Sequence, residues 1–109
     1  FEDIFARVAS SDFIVAGDTN LKFRETPTLS NETYDAWEST GSNIGTMGTW
    51  NPRENTNLKH ISIHVGMCRF DRMFSRGLAA QSFKLMLRNK MGDMHASDHF
   101  GIYCSFAFL

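Results

Sequence analysis

Five polar side chains are the candidates for chemistry in this sequence, because each follows, interrupts or directly precedes an apolar run. They lie in three short segments, which are "GDTN" (17–20), "RFDR" (69–72) and "SDH" (97–99). Burying an unpaired carboxylate in a strand is costly, so Asp71 needs a partner. Carboxylates commonly orient an imidazole by accepting a hydrogen bond from its ring N–H. We therefore expect Asp71 to orient His99.

Asp18 and Asn20 follow a short apolar strand predicted over residues 13–16. At positions i and i+2 of an extended segment, the two side chains would point the same way. A carboxylate and an amide that converge can bind a water, a phosphate oxygen or a hydrated metal ion. The alternative is a plain turn, because Gly, Asp and Asn are common turn formers.

The other two segments also have ordinary interpretations. Asp71 would form an ion pair with Arg69 or Arg72, and "SDH" would be a surface turn before a strand. Taken together, however, the three segments predict a phosphodiester-hydrolysis site. Asp18 would hold a water and Asn20 would contact a phosphate oxygen, and such a site also needs a divalent cation.

Composition limits the class of protein. The 109 residues carry a net charge of -1, and 42% of them are hydrophobic, including 10 Phe. A packed core is therefore expected, and a strongly basic, non-specific nucleic-acid binder is excluded. Because the sequence begins at Phe1, we expect a segment of a longer polypeptide. Cys68 and Cys104 could form one disulfide, but we expect buried free thiols. No apolar run is long enough to span a membrane.

The periodicity of apolar residues predicts an α/β chain with a partly antiparallel sheet. A long loop over 41–60 carries Trp50, and His60, His64 and His95 are expected in strands or at the surface. The predicted elements are a helix over 2–10, a strand over 13–16, a helix over 30–40 with Tyr34 and Trp37 on one face, and strands over 60–67, 68–74 and 99–109.

The three segments, in this order, resemble the motifs of the endonuclease/exonuclease/phosphatase superfamily, which has the DNase I-like fold. Within it, the sequence is similar to the 5′-tyrosyl-DNA phosphodiesterases from about residue 13 onward. The segments that carry this similarity are "GDTNLKFRE" (17–25), "DAWE" (35–38), "TW" (49–50), "RFDRMF" (69–74) and "SDHFGIYCSF" (97–106). The resemblance implies that residues 1–109 form the C-terminal half of a four-layer α/β sandwich with a mixed, largely antiparallel sheet.

The resemblance also implies catalytic roles. Asp18 corresponds to the acid that activates or orients the attacking water, and Asn20 to an amide that contacts the phosphate. Asp71 corresponds to the partner of the imidazole, and His99 to the residue that stabilises the pentavalent phosphorane. Asp98 corresponds to a residue that supports the metal ion.

A second implied group binds the DNA. Leu21 and Lys22 would lie along the 5′ end of the strand, while Trp50 and Phe70 would form an apolar wall for the terminal nucleotide. Asn20 and His99 would contact the phosphate of the same substrate. For Phe70 the alternative is a place in the core, because Phe is usually buried.

The implied activity is Mg²⁺-dependent hydrolysis of 5′-phosphotyrosyl bonds to DNA in the repair of topoisomerase–DNA adducts, with Mn²⁺ as an alternative ion. The implied partners are DNA 5′ ends that carry a tyrosyl or peptide adduct, and we expect a monomer in the nucleus and also in the cytoplasm. The family's metal-ligating Glu is expected before Phe1, so the segment alone is predicted to be inactive. The alternatives are another DNase I-like nuclease or phosphatase, and an inactive fragment that binds nucleic acid or a partner.

Overall fold

The computed structural model describes Arg7 and residues 12–22, 24–62 and 64–109, which form two antiparallel sheets. In the first sheet the strand order is β1–β3–β2, and in the second β4 pairs with β5. The strands are β1 (Phe13–Asp18), β2 (Thr33–Asp35), β3 (Asp71–Arg76), β4 (Leu78–Met86) and β5 (Gly101–Phe108). One short helix, α1 (Ala36–Ser39), follows β2. The helix predicted over 2–10 lies outside the described residues apart from Arg7.

The first sheet carries a small apolar core. Phe13 on β1 and Phe74 on β3 are buried together, and Val15 and Leu29 pack against them. Burying one such Phe side chain stabilises the fold by about 1.5–3 kcal/mol relative to exposure. This core therefore fixes β1 against β3 along the stretch that leads to the end of β1 and the beginning of β3.

The helix predicted over 30–40 is wrong in its first half. Residues Thr33–Asp35 instead form β2, which pairs with β3. Helix α1 begins only at Ala36, because the Asp35 side chain accepts a hydrogen bond from the backbone N–H of Trp37 at 3.0 Å and caps it. Tyr34 is exposed and Trp37 is buried, so the two do not share a face.

The strand predicted over 60–67 is also wrong, because its described residues form turns and bends. The backbone N–H of Val65 donates to the Ser62 carbonyl at 3.0 Å, a turn contact, and Val65 remains exposed. Apolar alternation does not make a strand when no neighbouring strand offers hydrogen bonds. His60 and His64 are exposed as expected, whereas His95 is buried against Phe100.

The predicted strand over 68–74 begins later than expected, at Asp71, and the predicted final strand is confirmed as β5. Strand β4, which the apolar pattern did not predict, pairs with β5. The loop over 41–60 contains two 3₁₀ turns, Ile44–Thr46 and Thr56–Leu58, and Trp50 forms an isolated bridge with Cys68. Cys68 and Cys104 are free, as predicted, but they are half-buried and not buried. The described part of the chain contains no helix with the length and apolarity that crossing a membrane requires.

Candidate active site

Asp18 and Asp71 stand directly opposite each other where β1 ends and β3 begins. Opposed residues of an antiparallel pair project their side chains from the same face of the sheet. Two carboxylates in this arrangement repel each other unless a cation or a donor lies between them. The register of the sheet therefore creates a place for a positively charged group.

The imidazole of His99 takes that place. Its Nδ1 lies 2.6 Å from Asp71 Oδ2, and its Nε2 lies 3.9 Å from Asp18 Oδ2. Because an ionised carboxylate only accepts hydrogen bonds, the hydrogen of the shorter contact is carried by Nδ1. The structure thus brings together Asp71 and His99 as predicted, and places Asp18 on the other side of the ring.

Burial opposes a charge on this ring, but the surrounding carboxylates outweigh it. The hydrogen bond that His99 donates to Asp71, the charge of that carboxylate, and the charges of Asp18 and Asp98 raise the pKa of His99 above its ordinary value. The side chain of His99 is 25% exposed and that of Asp71 15% exposed, so the pair is partly shielded from water. His99 is therefore suited to carry a positive charge and to donate from Nε2 to an anion.

The ion pairs proposed as an alternative for Asp71 are not found in the described residues. Arg69 is paired with Asp35 at 2.7 Å, and its guanidinium lies 4.5 Å from the ring centroid of Trp37. Arg72 donates to four backbone carbonyls, which are those of Leu21, Lys22, Glu25 and Arg69. Both arginines are thus engaged elsewhere, and the partner of Asp71 is His99.

Arg72 also fixes the segment that follows the first motif. Its buried guanidinium holds the carbonyls of Leu21 and Lys22, so this loop is tied to β3. Leu21 is half-buried and Lys22 is exposed. The two residues predicted to lie along DNA therefore sit on a loop whose backbone is held in place.

The first motif is a turn as well as part of the site. The backbone N–H of Asn20 donates to Asp18 Oδ1 at 2.9 Å, and Asn20 has a φ of 53°. The extended geometry expected for the pair is therefore wrong, because Asn readily adopts this left-handed conformation and Asp accepts from the residue two positions on. Thr19 fastens the turn to β3, since both its N–H and its hydroxyl donate to the Phe70 carbonyl, at 2.7 and 2.8 Å.

Two aromatic rings lie beside the imidazole. The ring centroids of Trp50 and Phe70 are 5.5 Å apart, and those of Phe70 and His99 are 6.1 Å apart. Both aromatic side chains are half-buried, so Phe70 is not a core residue. The rings of Trp50 and Phe70 are tilted by 51° to each other and those of Phe70 and His99 by 36°, so a flat group could stack on one ring face but not on all three at once.

Asp98 is exposed, and its Oδ1 lies 3.4 Å from the Ser97 hydroxyl. The ligand atoms of Asp18, Asp71 and His99 lie within 4.8 Å of one another, but the contact between the last two is a hydrogen bond. Mg²⁺ prefers oxygen ligands. Asp18 is exposed and offers oxygen ligands to such an ion, whereas Asp98 is exposed but does not belong to this group of converging ligand atoms.

Polar residues of the 41–60 loop support the site, although the sequence pattern did not indicate this; Thr49 and Asn55 are buried, and Asn57 is half-buried. Asn55 donates from Nδ2 to the Ser97 carbonyl at 2.8 Å, and Asn57 exchanges hydrogen bonds with the backbone of His95. Thr49 contacts both β3 and the segment after His99. The polarity of this stretch is typical of a solvent-exposed loop. Only the "TW" segment (49–50), through its similarity to the family, indicated that part of the loop belongs to the site.

The fold and the placement of these residues define the chain as part of a DNase I-like α/β domain. The crystal structure of TDP2 from C. elegans superposes with a TM-score of 0.80 at 30% identity and covers 99% of this chain and 33% of that chain. The structure of D. rerio TDP2 complexed with single-strand DNA product superposes with a TM-score of 0.84 at 29% identity. The match covers 97% of this chain and 48% of the D. rerio chain.

Sequence comparison finds relatives of the same name as the structural superposition. Tyrosyl-DNA phosphodiesterase 2 of Danio rerio is 34% identical over 103 residues, which is 85% of this chain and 27% of that protein. No family model matches the chain. The resemblance to tyrosyl-DNA phosphodiesterase 2 is therefore confirmed, and the chain spans less than a third of the length of the curated relatives it matches.

Proposed function

We propose that the complete gene product hydrolyses 5′-phosphotyrosyl bonds to DNA and that this chain supplies part of its active site. The observation that carries the proposal is the hydrogen bond of 2.6 Å between Asp71 and His99, with Asp18 on the far side of the imidazole. The names of the similar proteins, tyrosyl-DNA phosphodiesterase 2 and 5′-tyrosyl-DNA phosphodiesterase, support the same activity.

In this proposal four residues divide the work of hydrolysis. The exposed Oδ2 of Asp18 accepts a hydrogen bond from the attacking water and orients it. His99 donates from Nε2 to a phosphoryl oxygen as negative charge builds on it in the transition state. Asp71 accepts the Nδ1–H hydrogen bond of the charged imidazolium and so fixes the ring with its Nε2–H facing the substrate. Asn20 contacts a second phosphoryl oxygen through its amide.

The neighbouring surface would receive the 5′ end of the strand. Stacking of a base on Trp50 or Phe70 would contribute about 1–3 kcal/mol and would be independent of sequence. Leu21 and Lys22 would follow the strand away from the cleaved bond. The D. rerio relative was solved with a single-strand DNA product, which supports a nucleic-acid substrate.

A divalent ion, Mg²⁺ with Mn²⁺ as an alternative, would be held partly by Asp18 and Asp98. When bound, it would neutralise charge on the phosphoryl group and make a bound water more acidic. We further propose that the gene product acts as a monomer, in the nucleus and also in the cytoplasm, on 5′ ends that carry a tyrosyl or peptide adduct.

The proposal is tested with the complete gene product on a panel of substrates, each with Mg²⁺ and with EDTA. The panel contains a 5′-tyrosyl oligonucleotide, the same strand with a 5′-phosphate, and an RNA of the same sequence. We expect Mg²⁺-dependent release of tyrosine and much slower cleavage inside either strand. Comparable internal cleavage would favour another DNase I-like nuclease, and binding without hydrolysis would favour a binding fragment.

A further inference from the structure

Thr49 connects the two chain segments that carry Asp71 and His99. Its side chain is 0% exposed, and its hydroxyl Oγ1 accepts a hydrogen bond from the backbone N–H of Asp71 at 3.1 Å. Its own carbonyl accepts from the N–H of Phe100 at 2.7 Å. A single residue therefore contacts the backbone of Asp71 and the backbone directly after His99.

The pair needs such a connection because its members are far apart in sequence. Asp71 begins β3, whereas His99 lies in the long segment between β4 and β5. β2 pairs with β3 only from Phe74 to Arg76, so it does not reach Asp71. The Thr49 hydroxyl provides the acceptor for the Asp71 N–H in this stretch of the strand.

The segment before His99 is held by the same loop. Asn55 bonds to Ser97 and Asn57 bonds to His95, and the buried Phe100 closes the segment against Thr49. Thr49 differs from both asparagines because it also contacts β3. A displacement of its hydroxyl would therefore change the distance between the carboxylate and the imidazole.

We propose that Thr49 is a positioning residue that keeps Asp71 and His99 within hydrogen-bonding distance through its hydroxyl. Its effect on turnover depends on the proposed function, whereas its effect on the pair does not. The test compares Thr49→Val, which has nearly the same shape but no hydroxyl, with Thr49→Ser, which keeps the hydroxyl. The matched control is Thr33→Val on β2, which removes another buried threonine hydroxyl, bonded to Ser30 at 2.7 Å.

The first measurement is independent of activity. In the complete gene product, a proton on Nδ1 that is hydrogen-bonded to a carboxylate gives a downfield NMR signal, which His99→Gln assigns by removing it. We expect Thr49→Val to weaken or lose this signal and Thr49→Ser and Thr33→Val to keep it. An unchanged signal in Thr49→Val would overturn the proposal, even in a protein without phosphodiesterase activity.

The second measurement is turnover of the 5′-tyrosyl oligonucleotide. We expect Thr49→Val to lower kcat by about tenfold, which corresponds to about 1.4 kcal/mol of barrier, with little change in KM. Thr49→Ser should restore most of kcat, and Thr33→Val should retain it. A loss of kcat that follows Tm equally in both valine variants would show a purely structural role and refute the proposal. An inactive wild type would instead refute the proposed function and leave the NMR result to decide on Thr49.

Discussion

Replacing Asp71 by alanine removes the carboxylate that accepts the Nδ1–H hydrogen bond of His99 at 2.6 Å. The ring then loses its fixed orientation, and its pKa falls because the hydrogen bond and the charge of Asp71 are among the causes that raise it. Asp71 and His99 are both mostly shielded from water. The interaction is therefore stronger than that of an exposed pair.

The size of the effect follows from the type of bond. A hydrogen bond to a charged group contributes about 1.5–3 kcal/mol. If all of it acts in the transition state, its loss lowers kcat by about 10- to 150-fold. Asp71→Asn should lose less, because a neutral amide oxygen can still accept from Nδ1.

The assay is a double-mutant cycle on kcat with 5′-tyrosyl oligonucleotide, using Asp71→Ala, His99→Ala and the double variant of the complete gene product. We expect the double variant to be little slower than the slower single variant, because residues that act as a unit are non-additive. Asp93→Ala, at an exposed position in the turn before the site, serves as the control. Rate losses that multiply, together with a lowered Tm for Asp71→Ala, would refute the pairing as a catalytic unit.

Two further predictions concern Asp18 and His99. Asp18→Asn should lower turnover by about 10²–10⁴-fold, the usual cost of losing a general base. DNA binding, measured by fluorescence anisotropy, should be retained. A variant that keeps more than half of the wild-type rate would contradict the role of Asp18. Because the pKa of His99 is raised in the folded protein, its contribution to the free energy of unfolding should be complete below about pH 6.5 and be lost as the pH rises through the folded pKa. Urea unfolding across this pH range should show that dependence in the wild type and less of it in His99→Gln, and equal slopes would contradict the assignment.

The parts of the site that could be predicted from sequence are those where a polar residue interrupts an apolar strand. Asp71 lies at the start of β3, whose Phe74 belongs to the core, and His99 lies just before the largely apolar β5. A carboxylate placed next to a core requires a partner. An imidazole is the partner that a carboxylate commonly orients in hydrolytic sites, so His99 was predicted. The structure confirms this contact, while the catalytic roles stay predictions.

The remaining features depend on contacts between distant segments. Thr33–Asp35 form a strand because β3 offers hydrogen bonds at that point, although helical spacing fits the same residues. The alternation over 60–67 finds no such partner in the described residues. In the sequence, Thr49 is an ordinary polar residue of a glycine-rich loop. Its importance follows only from its hydrogen bonds with the backbone N–H groups of Asp71 and Phe100, which the fold creates.

The central claim is that a water held at Asp18 attacks the phosphorus of a 5′-phosphotyrosyl bond. It is tested most directly by one turnover of the complete gene product on a 5′-tyrosyl oligonucleotide in ¹⁸O-water with Mg²⁺, followed by mass spectrometry of both products. We predict one ¹⁸O atom in the 5′-phosphate of the DNA and none in the released tyrosine. Label in the tyrosine, or the absence of cleavage, would contradict the account.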